Sequence, residues 1–179
     1  NESNQILLDS HLKKLFGNDF ESFFGISTCN RTEIYLVGKP GISKKVFIEV
    51  LKTLNVKDIS SDSFYFLSNH DALVHMCKVA SGIDSQVLGE QEILGQFKTA
   101  LKNAKEYKII GNRLSYFADK VIEIAKKART DTEIGVNSLS VSGLAMKLIK
   151  NIFEEPEKQN ILVIGAGSLS KSVIENLYD

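Results

Sequence analysis

Apolar residues recur at helical spacing near the start of the chain. Ile6, Leu7, Leu8, Leu12, Leu15 and Phe16 share one face of a first helix, which Gly17 closes. Phe23 to Ser27 reads as a short strand, and Thr28-Cys29-Asn30-Arg31 as a polar connection. Thr32 to Val37 reads as a second strand, ended by Gly38, Pro40 and Gly41. Ser43 can cap a helix running to about Leu54, with Val46, Phe47, Val50, Leu51 and Leu54 inward. Phe64 to Leu67 is a third short strand. The order helix, strand, strand, helix, strand matches a ferredoxin-like split βαβ unit without its first strand.

Beyond Leu67 the period becomes helical. Asn69 is the expected cap of a helix with Asp71 in its first turn, where an acid is favoured. A glycine-punctuated stretch runs from Ser81 to Gly89. The spacing then predicts a helix from Glu90 to Lys108, with Ile93, Leu94, Phe97, Leu101 and Ala104 on its inner stripe. A second spans Arg113 to Arg129, buried through Leu114, Phe117, Val121, Ile122 and Ala125. Thr132 to Asn137 reads as an exposed hinge, dividing the chain into 1–133 and 134–179. A helix from Ser138 to Phe153, a polar loop, an apolar strand from Ile161 to Ile164, a Gly165-Ala166-Gly167 turn and an opening helix follow. The expected class is α+β: a split βαβ domain with appended helices, then the start of a Rossmann-type α/β domain.

Composition adds exclusions. Lys plus Arg equals Asp plus Glu at 22 each, so no overall positive charge argues for nucleic acid, although a local basic face remains open. Cys29 and Cys77 fit neither a disulfide framework nor metal-ligand spacing, and a reducing cytosol is the expected home. No apolar run approaches the roughly 20 residues needed to cross a bilayer. The start lacks the basic-then-apolar pattern of a signal peptide and lacks methionine, so the true beginning is expected to lie upstream.

The chemistry concentrates in Ser27-Thr28-Cys29-Asn30-Arg31-Thr32-Glu33. A cysteine in a polar turn is expected to be partly exposed, and Arg31 would favour its reactive thiolate. Thr28 and Asn30 offer hydrogen bonds, and Arg31 can clamp a carboxylate with two parallel ones. The plainer alternative is a polar turn that happens to hold a cysteine. Cys77, inside an apolar helical stretch, is expected to be inert core. His75 in the same stretch is either a packed core residue or a proton donor facing the Cys29 pocket. Glu90 and Gln96 bracket a helix start where side chains often meet ligands, though a loop and an amphipathic helix explain that stretch equally well. Gly165-Ala166-Gly167-Ser168-Leu169-Ser170 has the strand–turn–helix setting of a dinucleotide phosphate loop. Lys120, Lys126, Lys127 and Arg129 form a basic run, read as a solvated face before a contact with RNA phosphates.

Three runs taken in order resemble the glutamyl-tRNA reductases: STCNRTEIY from Ser27 to Tyr35, VASGIDSQVLGEQEILGQFK from Val79 to Lys98, and ARTDTEIGVNSLSV from Ala128 to Val141. The GAGSLS turn follows where that family would have it. The resemblance implies Cys29 as nucleophile and His75 as its catalytic support. It implies that Thr28, Asn30, Arg31, Ser85, Glu90, Gln91, Glu92 and Gln96 bind the glutamyl group, and that Gly165, Ala166, Gly167, Ser168, Leu169 and Ser170 bind NADPH. It implies no metal. It further implies reduction of glutamyl-tRNA to glutamate-1-semialdehyde through a cysteine thioester, at the start of tetrapyrrole synthesis. A homodimer and a partnership with the downstream aminomutase would follow. Glu92 stands where the family usually has Gln, and Ser170 where it often has Gly. The family's first strand, most of its NADPH domain and its dimerisation domain are not in this sequence.

Two rival readings stay open at this level. One is a cysteine acyl-hydrolase or acyltransferase using Cys29 and His75. The other is a non-catalytic module that captures glutamyl-tRNA or a protein partner. The glycine turn after Ile164 favours the reductase over the hydrolase, and a cysteine in the TCNR run argues against a pure binder.

Overall fold

The computed structural model describes residues 2–28, 30–56, 59–132, 134 and 141–178. Helix α1 (Glu2–Phe16) ends at Gly17, whose φ of 51° breaks the helix, as its position suggests. Strands β1 (Phe20–Ser27) and β2 (Thr32–Gly38) follow as an antiparallel pair, with Phe24 opposite Tyr35 and Ser27 opposite Thr32. Helix α2 (Ile42–Thr53) starts after Gly41, one residue before the expected Ser43 cap.

Successive side chains of a strand point to opposite faces. Phe23 and Phe24 are nevertheless both buried, so the ribbon is covered on both sides. Helix α1 packs on β1 and on α2. The other cover is helical: α3 (Asn69–Ser81), α4 (Glu92–Glu106) and α5 (Asn112–Asp131) pack on one another, with α4 against β1 and α5 against β2. Phe97 of α4 meets Phe24 edge to face at 5.5 Å, and both side chains are fully buried. The inner stripe of α4 comes out as the spacing predicts, with Ile93, Phe97, Leu101 and Ala104 buried. On α5 the buried set is Leu114, Ala118, Val121 and Ala125, while Phe117 is turned outward.

Three expectations need correction. Phe64 to Leu67 is extended but pairs with no strand among the described residues. It is held by side chains instead: Phe64 packs tilted on Phe47 of α2 at 4.7 Å, Phe66 meets Phe47 edge to face at 5.4 Å, and Tyr65, on the alternate side, meets His75 of α3. The split βαβ unit is thus a two-stranded sheet with helices. Second, α4 begins at Glu92 rather than Glu90, and Ser68 rather than Asn69 occupies the cap position of α3. Third, Ile161 to Ile164 forms no strand, and Leu162 and Ile164 lie exposed. A parallel strand gains its ladder only from neighbouring strands, and none lies beside this run among the described residues. The flanking helices do form: α6 (Val141–Ile152) and α7 (Ser168–Tyr178) pack together, with Ser142 Oγ 2.9 Å from Ser172 Oγ. Most of the expected hinge, Thr132 to Asn137, lies outside the described residues.

Phe97→Ala tests the aromatic centre of this core. Removing a fully buried ring costs about 3–5 kcal/mol. Urea unfolding should therefore show a large fall in midpoint, and a loss under about 1 kcal/mol would mean that α4 is not seated on the sheet as described.

Candidate active site

The turn between β1 and β2 is organised by Thr28. Its hydroxyl oxygen accepts from the backbone N–H groups of Asn30 and Arg31, both at 3.2 Å, and its own N–H donates to the carbonyl of Arg31 at 2.8 Å. Ser27 Oγ and Thr32 Oγ1, 3.0 Å apart, close the base of the turn. Cys29, the expected nucleophile, lies outside the described residues.

Arg31 is mostly buried and already partnered. Nη1 donates to Glu33 Oε1 at 3.0 Å and to Asp84 Oδ2 at 2.8 Å, and Nη2 donates to the backbone carbonyl of Asp84. Burial pulls its pKa down, but the hydrogen bond to Asp84 and the charges of Glu33 and Asp84 outweigh burial and raise it. An incoming carboxylate must therefore compete with Asp84 for this guanidinium.

Glu33, on β2, gathers two further groups directly and a third through one of them. His75 Nε2 lies 3.0 Å from Glu33 Oε1 and 3.1 Å from the Tyr65 hydroxyl, and the Tyr35 hydroxyl donates to Glu33 Oε2. An ionised carboxylate only accepts, so Nε2 carries the hydrogen in the Glu33 pair. His75 is thus a half-buried, hydrogen-bonded residue that is also tied to the site. Burial, followed by the charge of Glu33, pushes the Tyr35 phenol well above its ordinary pKa. Glu33, Tyr35, Tyr65 and Asp84 were not candidates from sequence, although Glu33 and Tyr35 stand inside the STCNRTEIY run.

Residues 82–89 form a closed loop. Gly82 and Gly89 have φ near +80°, a region most side chains avoid, and the Gly89 N–H donates to the Gly82 carbonyl at 2.9 Å. A Cβ on Gly89 would fall 1.9 Å from the Ile134 carbonyl oxygen, so no larger residue fits there. Arg129 holds the base of the loop: Nη1 donates to the carbonyls of Ser81 (3.1 Å) and Glu90 (3.0 Å), and Nη2 to that of Gly89 (2.9 Å). The basic run therefore splits. Lys120, Lys126 and Lys127 are exposed as a solvated face, whereas Arg129 is turned inward.

Turn, loop and the start of α4 enclose a polar cleft of about 30 Å³ lined by Thr28, Asn30, Arg31, Ser85, Gln86, Glu90, Glu92, Ile93 and Gln96. That volume holds little more than water, so a larger ligand must displace side chains to enter. Seven of the expected binding residues thus meet in one place. Gln91 is exposed just ahead of α4 and does not line the cleft, and His75 reaches the site through Glu33. Cys77 is only half-buried. It borders a separate apolar groove of about 280 Å³ with Leu73, Val74, Ile83 and Ile124, and burial raises its thiol pKa, which keeps it in the unreactive form.

Gly165 to Ser170 are well placed for an anionic group. Gly165 has φ +127°, the space where a Cβ of Gly167 would sit is open, and α7 starts at Ser168 with its N-terminal amides behind the turn. Glycines at the turn and the α7 N-terminus suit a phosphate group, but the strand expected before the turn is not formed among the described residues. Among the described residues no cluster of His, Cys, Asp or Glu could hold a metal, and no helix is long and apolar enough to cross a membrane.

Residues 3–132 match the model of the glutamyl-tRNAGlu reductase N-terminal domain. The chain is 42% identical over 146 residues to a glutamyl-tRNA reductase of Ruthia magnifica, covering 80% of this chain and 35% of the relative. It is 36% identical over 157 residues to one of Sulfurihydrogenibium sp., covering 86% and 36%. The fold matches glutamyl-tRNA reductase from Methanopyrus kandleri with a TM-score of 0.63 at 24% identity, covering 99% of this chain and 43% of that one. The chain thus spans little more than a third of these curated relatives' length.

The Tyr35 environment has a pH signature. Its folded pKa is raised, so its stabilising effect is complete below the unfolded value of about 10 and is lost as pH climbs towards the folded value. Above about pH 10 Tyr35 should steepen the loss of stability by about 1.4 kcal/mol per pH unit. Tyr35→Phe should flatten the alkaline limb of a stability–pH curve by that amount, and an unchanged slope would place Tyr35 outside a buried, charge-facing site.

Proposed function

The chain belongs to the glutamyl-tRNA reductase family, and from that premise we propose that it carries the glutamyl-transfer site of an enzyme that reduces glutamyl-tRNA to glutamate-1-semialdehyde, the entry to tetrapyrrole synthesis. In this reading residues 1–133 form the catalytic domain and 134–179 begin the dinucleotide domain. The thiolate of Cys29 attacks the ester carbonyl of glutamyl-tRNA. The C–O bond to the terminal ribose breaks, the ribose hydroxyl leaves with a proton, and a glutamyl thioester remains on sulfur. Covalent catalysis divides one difficult step in two, and the thioester carbonyl is the more electrophilic.

The observation that carries this reading is the Arg31–Asp84 pair, which joins the turn bearing the TCNR run to the loop lining the same polar cleft. A substrate carboxylate replacing Asp84 on Arg31 would be held by the same planar fork. Thr28, Asn30, Ser85, Glu90, Glu92 and Gln96 offer the remaining hydrogen bonds, with Gln91 beside them. His75, oriented by Glu33 and Tyr65, supports the chemistry from behind the turn. Gly165, Ala166, Gly167, Ser168, Leu169 and Ser170 hold the pyrophosphate of NADPH, which supplies a hydride when bound. The intact protein works as a homodimer in the cytoplasm and hands its aldehyde to an aminomutase.

Acid quench of the intact protein with radiolabelled glutamyl-tRNA should trap label on Cys29, and adding NADPH should convert it to aldehyde. Cys29→Ser should abolish both, because an alcohol without a dedicated base is a far poorer nucleophile; wild-type labelling of that variant would remove Cys29 from the mechanism. Free glutamate without aldehyde would favour a hydrolase instead. Arg31→Lys keeps the charge and loses the fork. It should lower kcat/KM by the worth of a charged hydrogen bond, roughly tenfold to a hundredfold. An unchanged kcat/KM would mean that Arg31 does not hold the substrate.

A further inference from the structure

Arg129 lies 98 positions from Arg31 in the chain, outside the cleft, and no role in the proposed reaction uses it. Its guanidinium is nonetheless spent on the site's framework. Three of its hydrogen bonds end on the carbonyls of Ser81, Gly89 and Glu90, the residues at the two roots of the 82–89 loop. Those roots are also tied to each other through the Gly89 N–H and the Gly82 carbonyl. The loop in turn delivers Asp84 to Arg31 and Ser85 to the cleft, and Glu90 follows directly behind it. A chain of contacts therefore runs from α5 through the loop to the guanidinium beside the β1–β2 turn. A lysine could reach one of these carbonyls but not bracket three, because only the planar fork presents several N–H groups at fixed angles.

We propose that Arg129 is a positioning residue for the reaction: it fixes the loop that sets Asp84 against Arg31 and places Ser85 and Glu90 in the cleft. The proposal rests on the functional reading of the cleft given above. Arg129 does not itself line the cleft and meets only the backbone of Glu90 among its lining residues, so its effect passes through the loop and its roots.

The test is a double-mutant cycle in the intact protein between Arg129→Lys and Asp84→Asn, with acylation of Cys29 by glutamyl-tRNA as the reaction. Each variant is assayed at a temperature where its unfolding curve shows it fully native. Displacing a positioned group by about an ångström can cost on the order of a hundredfold, so Arg129→Lys should lower kcat/KM by roughly tenfold to a hundredfold. Both changes act on the same Asp84–Arg31 contact, so Asp84→Asn should alter kcat/KM less in the Arg129→Lys background than in the wild type. Hydrogen exchange at the Gly89 amide gives a readout independent of activity and should quicken in Arg129→Lys. Additive effects of the two changes, an unchanged kcat/KM in Arg129→Lys, or unchanged Gly89 exchange would each overturn the proposal. So would failure of both Arg129→Lys and Arg129→Gln to fold, which would make Arg129 a folding residue. A wild-type protein that forms no acyl-enzyme would instead overturn the functional reading itself, and the positioning role with it. An active wild type with an indifferent Arg129 variant would sink this inference alone.

Discussion

The carboxylate of Glu33 is the constraint around which the site is arranged. It is 12% exposed, and a charge so placed is tolerable only when its lone pairs are filled. Arg31, His75 and Tyr35 fill them, and each comes from a different part of the framework. Arg31 follows the turn, Tyr35 faces the core from β2, and His75 stands on α3. Satisfying one oxygen pair therefore fixes the angle at which α3 meets the sheet and the direction in which the turn projects. Apolar packing could bring α3 to the sheet, but only a directional partner sets the rotation of His75.

Two guanidinium groups extend that order outward. Arg31 faces carboxylates and is held by charge-assisted bonds, whereas Arg129 faces neutral carbonyls and is held by geometry. The loop between them buries little of its apolar content, with Ile83 and Leu88 exposed, and glycines at both roots give it unusual backbone freedom. A segment of that kind stays in one place only when both ends are fastened. The two arginines supply the fastenings, and the small cleft lies where the fastened loop comes closest to the turn.

Much of this framework was legible in the sequence, and the failures have a common cause. The stripes of α4 and most of α5 follow period 3.6, because burial on a regular helix leaves a periodic trace, and β1 and β2 stand out as short apolar runs bounded by polar residues and glycine. The position of Gly17 as a helix stop was equally readable. The runs from Phe64 and from Ile161 look like strands because alternation or apolar content is local, whereas a ladder is made by a neighbour that the local pattern does not specify. Within the site, the residues of the cleft could be gathered only through a family resemblance. Asp84, Tyr65 and the inward turn of Arg129 could not be seen, since each depends on a partner between 10 and 53 positions away. Phe117 was misplaced for a related reason: it borders the apolar stripe of α5, and the neighbouring helices decide which side of that border is covered.

The stretch from Phe64 to Leu67 has a consequence for how length can change here. It is held by an odd–even division of labour, in which Phe64 and Phe66 serve the α2 side and Tyr65 serves His75. No ladder fixes its register among the described residues, so the register is carried by side-chain parity alone. Substitution within each face disturbs one partner at a time. Loss or gain of a single residue just upstream exchanges the faces, and presents a phenyl ring where the imidazole had a hydroxyl. Natural variation at this stretch should therefore be generous in residue size and intolerant of odd-numbered changes in length.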